Sequence, residues 1–337
     1  MDQRFERFRE RIKEEIQRMC GGGLAVSFEN TIGNNGIVRR GLELSGGEEP
    51  VGIQVSLESS YEDYRNGGSV RELAVRVLKE YQAGRMVMDL AESMAGIAGG
   101  EGGCASVRDR IVYHLVSYER NKEWLCQTPF IRVCDLAVVF CLAGEADGIG
   151  RLTAMVGNEW AGKWGLGLKE LYDLATENTP RLFPARIKSM REVMEGIARE
   201  HLGEAYQEEF MEELFSAPVV SPLYVISNEA GNWGAATVLY RGVLKRFSDQ
   251  VGKDLILLPS SVHEFLIIPW EERLDMGELR DLVIHVNQSE VSEEEILSDQ
   301  VYRYRRETDR IEEVFQGPGA RDSAQAMEAE NKEKNFI

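Results

Sequence analysis

The order of secondary-structure signals in the last third of the chain most strongly limits its fold. The runs LYVISN and AATVLY have strand patterns, GVLKRFSDQVG follows as a helix, and LILLP and EFLIIP are two further strands before the helix MGELRDLVIHV. A parallel doubly wound sheet alternates single strands with single helices, so this β-β-α-β-β-α order argues against one. It predicts antiparallel sheet with helices packed on it, which is an α+β fold.

Strands followed by helices also occur twice upstream. Residues 1–100 contain an amphipathic helix, three strand-like runs, a helix capped by Ser69 and Glu72 that ends before Gly84, and a second helix near 86–94. A glycine-rich loop, GIAGGEGG, then marks a boundary between modules.

The middle of the chain repeats this organisation. RIVYHLVSYE, FIRVCDLAVVFCL and GRLTAMV each predict one strand, and the second is long enough to be buried on both faces. Amphipathic patterns then predict helices at 168–177, 186–201 and 204–215.

These patterns predict three consecutive modules and a tail. Residues 299–314 fit a strand or a helix equally well, and 316–337 have too few apolar residues to form a core. The predicted divisions are 1–100, 101–216, 217–315 and a disordered tail at 316–337.

Composition excludes several classes of protein. A formal net charge of −18 argues against nucleic-acid binding, which needs clustered Lys and Arg, and 43% hydrophobic residues argue against general disorder. The basic cluster RYRRE at 303–307 is followed by acidic residues that favour ion pairing within the chain. Without a membrane-length apolar run or a signal peptide, we expect a soluble cytoplasmic protein that binds no membrane.

The five cysteines predict neither a metal site nor a cofactor. No two of them have C-x-x-C spacing, and Cys134 and Cys141 lie in an apolar run where a thiol behaves as a small hydrophobic side chain. We therefore expect reduced structural thiols, no metal and no cofactor.

One segment comes close to a phosphate-binding loop. Residues 157–163 fit G-x-x-x-x-G-K, but Trp164 replaces the hydroxyl residue that would bind Mg²⁺. Bulky Trp160 also stands where backbone amides would have to surround a phosphate. The segment is therefore interpreted as a loop after a strand.

The turn PSSVHE contains the only candidate catalytic residues. Ser260 or Ser261 could act as a nucleophile, with His263 as base and Glu264 as the acid that orients it. No G-x-S-x-G elbow exposes either hydroxyl, and a turn in which the serines bind local amides explains the same residues.

Two asparagines are candidate ligand-binding residues. Asn228 and Asn232 follow a predicted strand, and the ends of the two hairpins could bring them to the same sheet edge as the PSSVHE turn. They could then bind a small molecule or a protein partner there.

Several segments carry a family resemblance, and they are Asn228, Gly234-Ala235-Ala236, Leu239-Tyr240, Leu258 to Ser261, His263-Glu264, LSDQVYRYRRE, ENTPRLFP at 177–184 and YEDYRNG at 61–67. With these landmarks the chain resembles a bacterial domain-of-unknown-function family, the one numbered 5688. The central run from Asp135 through Trp164 to Asn178 is similar to a second uncharacterised family, numbered 1444.

The first resemblance implies a bacterial intracellular protein, of a kind also found on mobile elements, and it supplies no catalytic residue, cofactor or partner. Two functions stay open. The preferred one is a non-enzymatic binding or regulatory protein with an unknown protein or small-molecule partner. The alternative is a hydrolase-type enzyme that uses Ser260 or Ser261 with His263 and Glu264.

Overall fold

A computed structural model of the chain describes residues 3–46, 52–95, 107–146, 150–202 and 222–315. The chain folds as two compact units. The first comprises Met1–Leu182 with Glu293–Glu295, and the second comprises Phe183–Ser292 with Ile296–Ile337.

The first unit contains two antiparallel sheets and most of the helices. The helices are α1 (Gln3–Cys20), α2 (Glu58–Arg65), α3 (Val70–Ala95), α4 (Lys122–Leu125), α5 (Asn158–Trp164) and α6 (Leu168–Leu182). The strands are β1 (Leu24–Ile32), β2 (Val38–Gly46), β3 (Ile53–Ser56), β4 (Ile111–Ser117), β5 (Phe130–Val133), β6 (Leu136–Ala146) and β7 (Gly150–Met155). The first sheet has the order β1-β2-β3, and in the second sheet β6 pairs with β4 on one side and with β5 and β7 on the other.

The apolar stripe of α1 packs against the first sheet. Phe5, Phe8, Ile12 and Ile16 recur every three or four residues, and all four are buried with β2, β3 and α3 in one core. The buried Arg9 also lies in this layer, where its Nη2 donates to the Gly41 carbonyl at 3.0 Å. The predicted amphipathic helix at the start of the chain is confirmed.

The outer edge of β4 is closed by side chains from α6. All seven residues of β4 are buried, so the backbone groups on its unpaired edge need partners other than water. Thr179 Oγ1 accepts the Tyr113 N–H at 3.1 Å, and Asn178 Nδ2 donates to the Ile111 carbonyl at 3.0 Å. Both side chains belong to the segment ENTPRLFP, so this motif has a structural role at the sheet edge.

The second unit is built on one antiparallel sheet of six strands. The strands are β8 (Ala185–Ser189), β9 (Tyr224–Asn228), β10 (Leu255–Ser261), β11 (Glu264–Pro269), β12 (Tyr302–Arg305) and β13 (Arg310–Glu313), and their order in the sheet is β13-β12-β10-β11-β9-β8. The helices are α7 (Met190–Leu202), α8 (Val243–Val251) and α9 (Met276–Ser289), with a 3-10 helix at Gly234–Leu239. Helix α9 covers one face of the sheet, where it packs on Ile256, Leu258 and Ile268.

Two predicted elements of the second unit are wrong. The run AATVLY is not a strand but the greater part of the 3-10 helix Gly234–Leu239, because its small residues pack closely against β9 and β11. Residues 186–189, which were assigned to the start of a helix at 186–201, belong instead to β8, and this strand pairs with β9. Long-range strand pairing overrides the local helical pattern in β8.

Several helices and strands of the first unit also differ from those predicted from the sequence. The run FIRVCDLAVVFCL is a hairpin, since the chain turns at Cys134 with φ +57°. Helix α3 continues through Gly84, where a Cβ would meet Ile53 Cγ2 at 2.7 Å, so the glycine allows close packing instead of ending the helix. Residues 158–164 form α5 where a loop was predicted, and α6 extends beyond Glu177 to Leu182.

The RYRRE segment forms the β12–β13 hairpin and is held by ion pairs. This resolves the choice between strand and helix for 299–314 in favour of strand. Arg303 Nη2 lies 2.8 Å from Asp254 Oδ2, and Arg306 Nε lies 2.8 Å from Asp249 Oδ1. Burial alone would raise the pKa of Asp254, but the Arg306 N–H and the Arg303 guanidinium outweigh it and hold that pKa below its ordinary value.

The predicted α+β class is confirmed, since all three sheets are antiparallel and helices pack on them. The predicted module boundaries at 100, 216 and 315 stay predictions. The glycine-rich loop, the helix at 204–215 and the tail at 316–337 lie outside the described residues.

Replacing Thr179 with Val should destabilise the first unit. Valine keeps the shape but removes the acceptor of the buried Tyr113 N–H, which costs about 1–3 kcal/mol. Chemical denaturation should show this loss, and hydrogen-exchange mass spectrometry should show faster exchange in β4. Thr176→Val is the control, because the Thr176 hydroxyl donates only to the Tyr172 carbonyl of its own helix. Equal effects of the two variants would contradict this role of Thr179.

Replacing Asp254 with Asn should lower stability at pH 7 by about 2 kcal/mol, since two charge-assisted contacts are weakened. The pKa of the Asp254 carboxyl is lower in the folded state than its unfolded-state value of 3.8. The ionised carboxylate therefore stabilises the fold at pH values above 3.8, and this contribution is lost as the pH falls through the folded-state pKa. The difference between wild type and variant, measured by denaturation, should therefore shrink below about pH 3.8. Asp281→Asn, on the exposed face of α9, is the control and should change stability at pH 7 much less than Asp254→Asn does.

Candidate functional site

The PSSVHE segment is a tight turn between two central strands of the second unit. Strand β10 ends at Ser261, β11 begins at Glu264, and only Val262 and His263 connect them. A register shift after Pro259 shows that the hairpin is irregular at this end. Ser260, Ser261, His263 and Glu264 are all half-buried.

The imidazole of His263 is held by the loop that follows β9. Its Nδ1 accepts the backbone N–H of Trp233 at 3.1 Å, and the two rings lie 6.3 Å apart. The backbone carbonyl of His263 accepts the Ser227 hydroxyl at 2.8 Å. One hydrogen bond therefore joins the turn to the end of β9, and a second joins it to the loop that follows β9.

The two serines are engaged within the turn itself. Ser261 Oγ accepts the backbone N–H of His263 at 3.0 Å, and the Ser260 hydroxyl donates to Glu264 Oε1 at 3.3 Å. These contacts match the interpretation in which the serines bind local groups.

The hydrogen bond at Nδ1 determines which chemistry His263 can perform. An Nδ1 that accepts a hydrogen bond carries no proton, so the proton of a neutral imidazole is on Nε2. In a Ser-His-acid triad the acid binds Nδ1–H and Nε2 takes the serine proton. His263 has the opposite arrangement, and Glu264 is bonded to Ser260, so the observed geometry argues against the hydrolase hypothesis.

The side chain of Asn228 is enclosed by the loop that it begins. Its exposed fraction is 2%, and its Nδ2 donates to the Asn232 carbonyl at 2.8 Å. Its Oδ1 is buried and has no hydrogen-bond partner. Asn232 contributes a backbone carbonyl, and as a residue it is exposed.

Sequence reasoning missed Ser227, Trp233 and Gly234 as parts of this site. Trp233 has φ +55°, a left-handed conformation that costs a non-glycine residue about 1–2 kcal/mol. A Cβ on Gly234 would clash with Ser227 Oγ, the His263 carbonyl and the Asn228 N–H group. The run Gly234-Ala235-Ala236 was a signal of close packing, whereas no local pattern could identify Trp233.

The model of a family of unknown function, DUF5688, matches residues 5–306. The chain belongs to that family. The second resemblance, to the family numbered 1444, is not shown. The chain has no significant match among curated proteins or among solved structures.

The DUF5688 landmarks in this chain coincide with the contacts described above. The run from Asn228 to Tyr240 forms the loop and the 3-10 helix beside His263, and ENTPRLFP provides the Thr179 and Asn178 bonds to β4. The landmark at 61–67 provides Tyr61 and Tyr64, which pack against Phe8 of α1.

Two kinds of feature are absent from the part of the chain that the structure describes. Residues 3–46, 52–95, 107–146, 150–202 and 222–315 contain no group of three or more His, Cys, Asp or Glu side chains placed to bind a metal ion. Among the helices in those ranges, none has the length and apolar character that a membrane span requires.

Replacing Gly234 with Ala should disrupt the site. The added methyl would push Ser227 and His263 apart, and such overpacking costs about 1–3 kcal/mol. Thermal unfolding should show the loss, and hydrogen exchange should increase at Trp233 and in the turn. Gly162→Ala is the control, because a Cβ at that position in α5 meets open space and alanine favours helix. Unchanged exchange at Trp233 in the Gly234 variant would contradict the expected clash.

Proposed function

We propose that this chain is a non-enzymatic binding protein and that its ligand accepts or donates hydrogen bonds at the loop from Asn228 to Trp233. The observation that carries the proposal is the buried Oδ1 of Asn228, which has no partner. A buried amide oxygen without a hydrogen bond costs about 1–3 kcal/mol, so a bound group that donates to it would recover that free energy.

The loop from Asn228 to Trp233 has features of a segment that can change conformation. Glu229 to Asn232 are exposed, and Gly231 has φ +68°. The loop closes on Asn228 through the Asn232 carbonyl and through the Gly231 N–H, which donates to the Asn228 carbonyl at 3.2 Å. Since Oδ1 is shielded from solvent, a ligand must displace this segment, so binding and loop opening are coupled.

Polar groups with N–H or O–H donors suit such a site, and a small polar molecule is the ligand class that we favour. Trp233, half-buried beside the loop, offers an apolar surface next to the acceptor. A regulatory role would follow if the ligand changes the loop conformation. The hydrolase alternative with Ser260 or Ser261 stays a hypothesis, and the Trp233–His263 hydrogen bond weighs against it.

The test is equilibrium dialysis of the full-length protein against the small-molecule fraction of a bacterial extract, with retained compounds identified by mass spectrometry. We expect wild type to retain at least one polar compound and Asn228→Leu to retain about tenfold less, because a hydrogen bond within a buried site is lost. Circular dichroism should show that the variant is folded.

Asn232→Ala is the matched control. It removes an exposed side chain but keeps the backbone carbonyl that positions Asn228, so retention should change less than about threefold. Equal retention by wild type and a folded Asn228→Leu variant would place the ligand elsewhere. Labelling of Ser260 or Ser261 by a fluorophosphonate probe would instead support the hydrolase alternative.

A further inference from the structure

Two sulfur side chains and one imidazole meet on one face of the second sheet of the first unit. Cys141 Sγ lies 3.5 Å from His114 Nδ1 and 4.0 Å from Met155 Sδ. The three residues lie on β6, β4 and β7, which are neighbouring strands. This group is independent of the Asn228 loop and plays no part in the function proposed above.

Strand register explains why the three side chains meet. Cys141 is directly opposite Met155 on one side of β6, and on the other side it is opposite Val112, two residues before His114. Side chains two residues apart on a strand point to the same face, so a cross-strand pair and a diagonal pair share Cys141. The backbone of three paired strands therefore fixes the spacing of the donors.

We propose that Cys141, His114 and Met155 form a binding site for one soft monovalent metal ion, Cu(I). Metal–sulfur bonds of about 2.3 Å and metal–nitrogen bonds of about 2.0 Å in a trigonal plane place the donors about 4.0 Å and about 3.7 Å apart. The observed separations from Cys141 Sγ are 4.0 Å and 3.5 Å, so the two donor pairs that share Cys141 have about the spacing that this geometry requires.

The donor set and its burial select the metal. Thiolate and thioether sulfurs favour Cu(I), whereas a thioether is a poor ligand for Zn²⁺, which also prefers four donors. Cys141 and His114 are 2% and 5% exposed. One thiolate neutralises one monovalent ion, but a divalent ion would leave an unpaired positive charge in a buried site.

The exposed side of the site is formed by Met155, which is 42% exposed and provides the route for the ion. Binding replaces the Cys141 S–H bond with a copper–sulfur bond, and the thiol proton leaves to solvent, one for each ion bound.

The test is an anaerobic titration of the full-length protein with Cu(I) against a chromogenic competitor such as bicinchoninate. The other cysteines must not compete, so the parent protein for this test carries serine at four positions: Cys20, Cys104, Cys126 and Cys134. We expect this parent to bind one equivalent of Cu(I). X-ray absorption should show two sulfur ligands and one nitrogen ligand.

Two variants separate the proposed site from adventitious binding. Met155→Leu removes one ligand at an exposed position and should weaken binding at least tenfold, and Cys141→Ala should abolish it. Met86→Leu is the matched control, since Met86 is 57% exposed on α3 and should not affect binding. Unchanged affinity in the Met155 and Cys141 variants, or a spectrum without a nitrogen ligand, would overturn the proposal.

Discussion

The buried edge of β4 is the constraint on which the first unit depends. A strand buried along its whole length cannot leave N–H and C=O groups unpaired, and water does not reach them. Thr179 and Asn178 supply the partners from α6, so that helix must lie along the strand edge. The position of α6 in turn closes the sheet in which His114, Cys141 and Met155 meet.

In the second unit, close approach between backbone segments fixes the position of a helix, as hydrogen bonding at the edge of β4 does in the first unit. Gly234 allows the 3-10 helix to contact Ser227 and the His263 carbonyl, and the resulting loop directs the Trp233 N–H to the imidazole. This arrangement stabilises one tautomer of His263. It also leaves the Asn228 oxygen buried without a partner, and such exceptions to full hydrogen bonding in native proteins call for an explanation.

Much of the fold could be predicted from local patterns. The stripe of α1, the strands β4, β10 and β11, the antiparallel α+β class and the ion pairing of RYRRE are all readable from periodicity and charge. The candidate site was predicted only in part. Asn228, Asn232, His263, Glu264 and the two serines were identified, but the partners of His263 were not, because Trp233 and Ser227 are about 30 residues or more from the turn.

The sequence by itself determined which segments can bury an apolar face, since that depends on spacing within one helix or strand. Tertiary structure decided the rest: that residues 185–189 pair as β8, that Gly84 continues α3, and that Gly234–Leu239 coil against β9. It also decided which polar and sulfur groups meet. Strand register determines which of these side chains come into contact. Register depends on pairing between segments that are distant in sequence, and a local sequence pattern carries no information about that pairing.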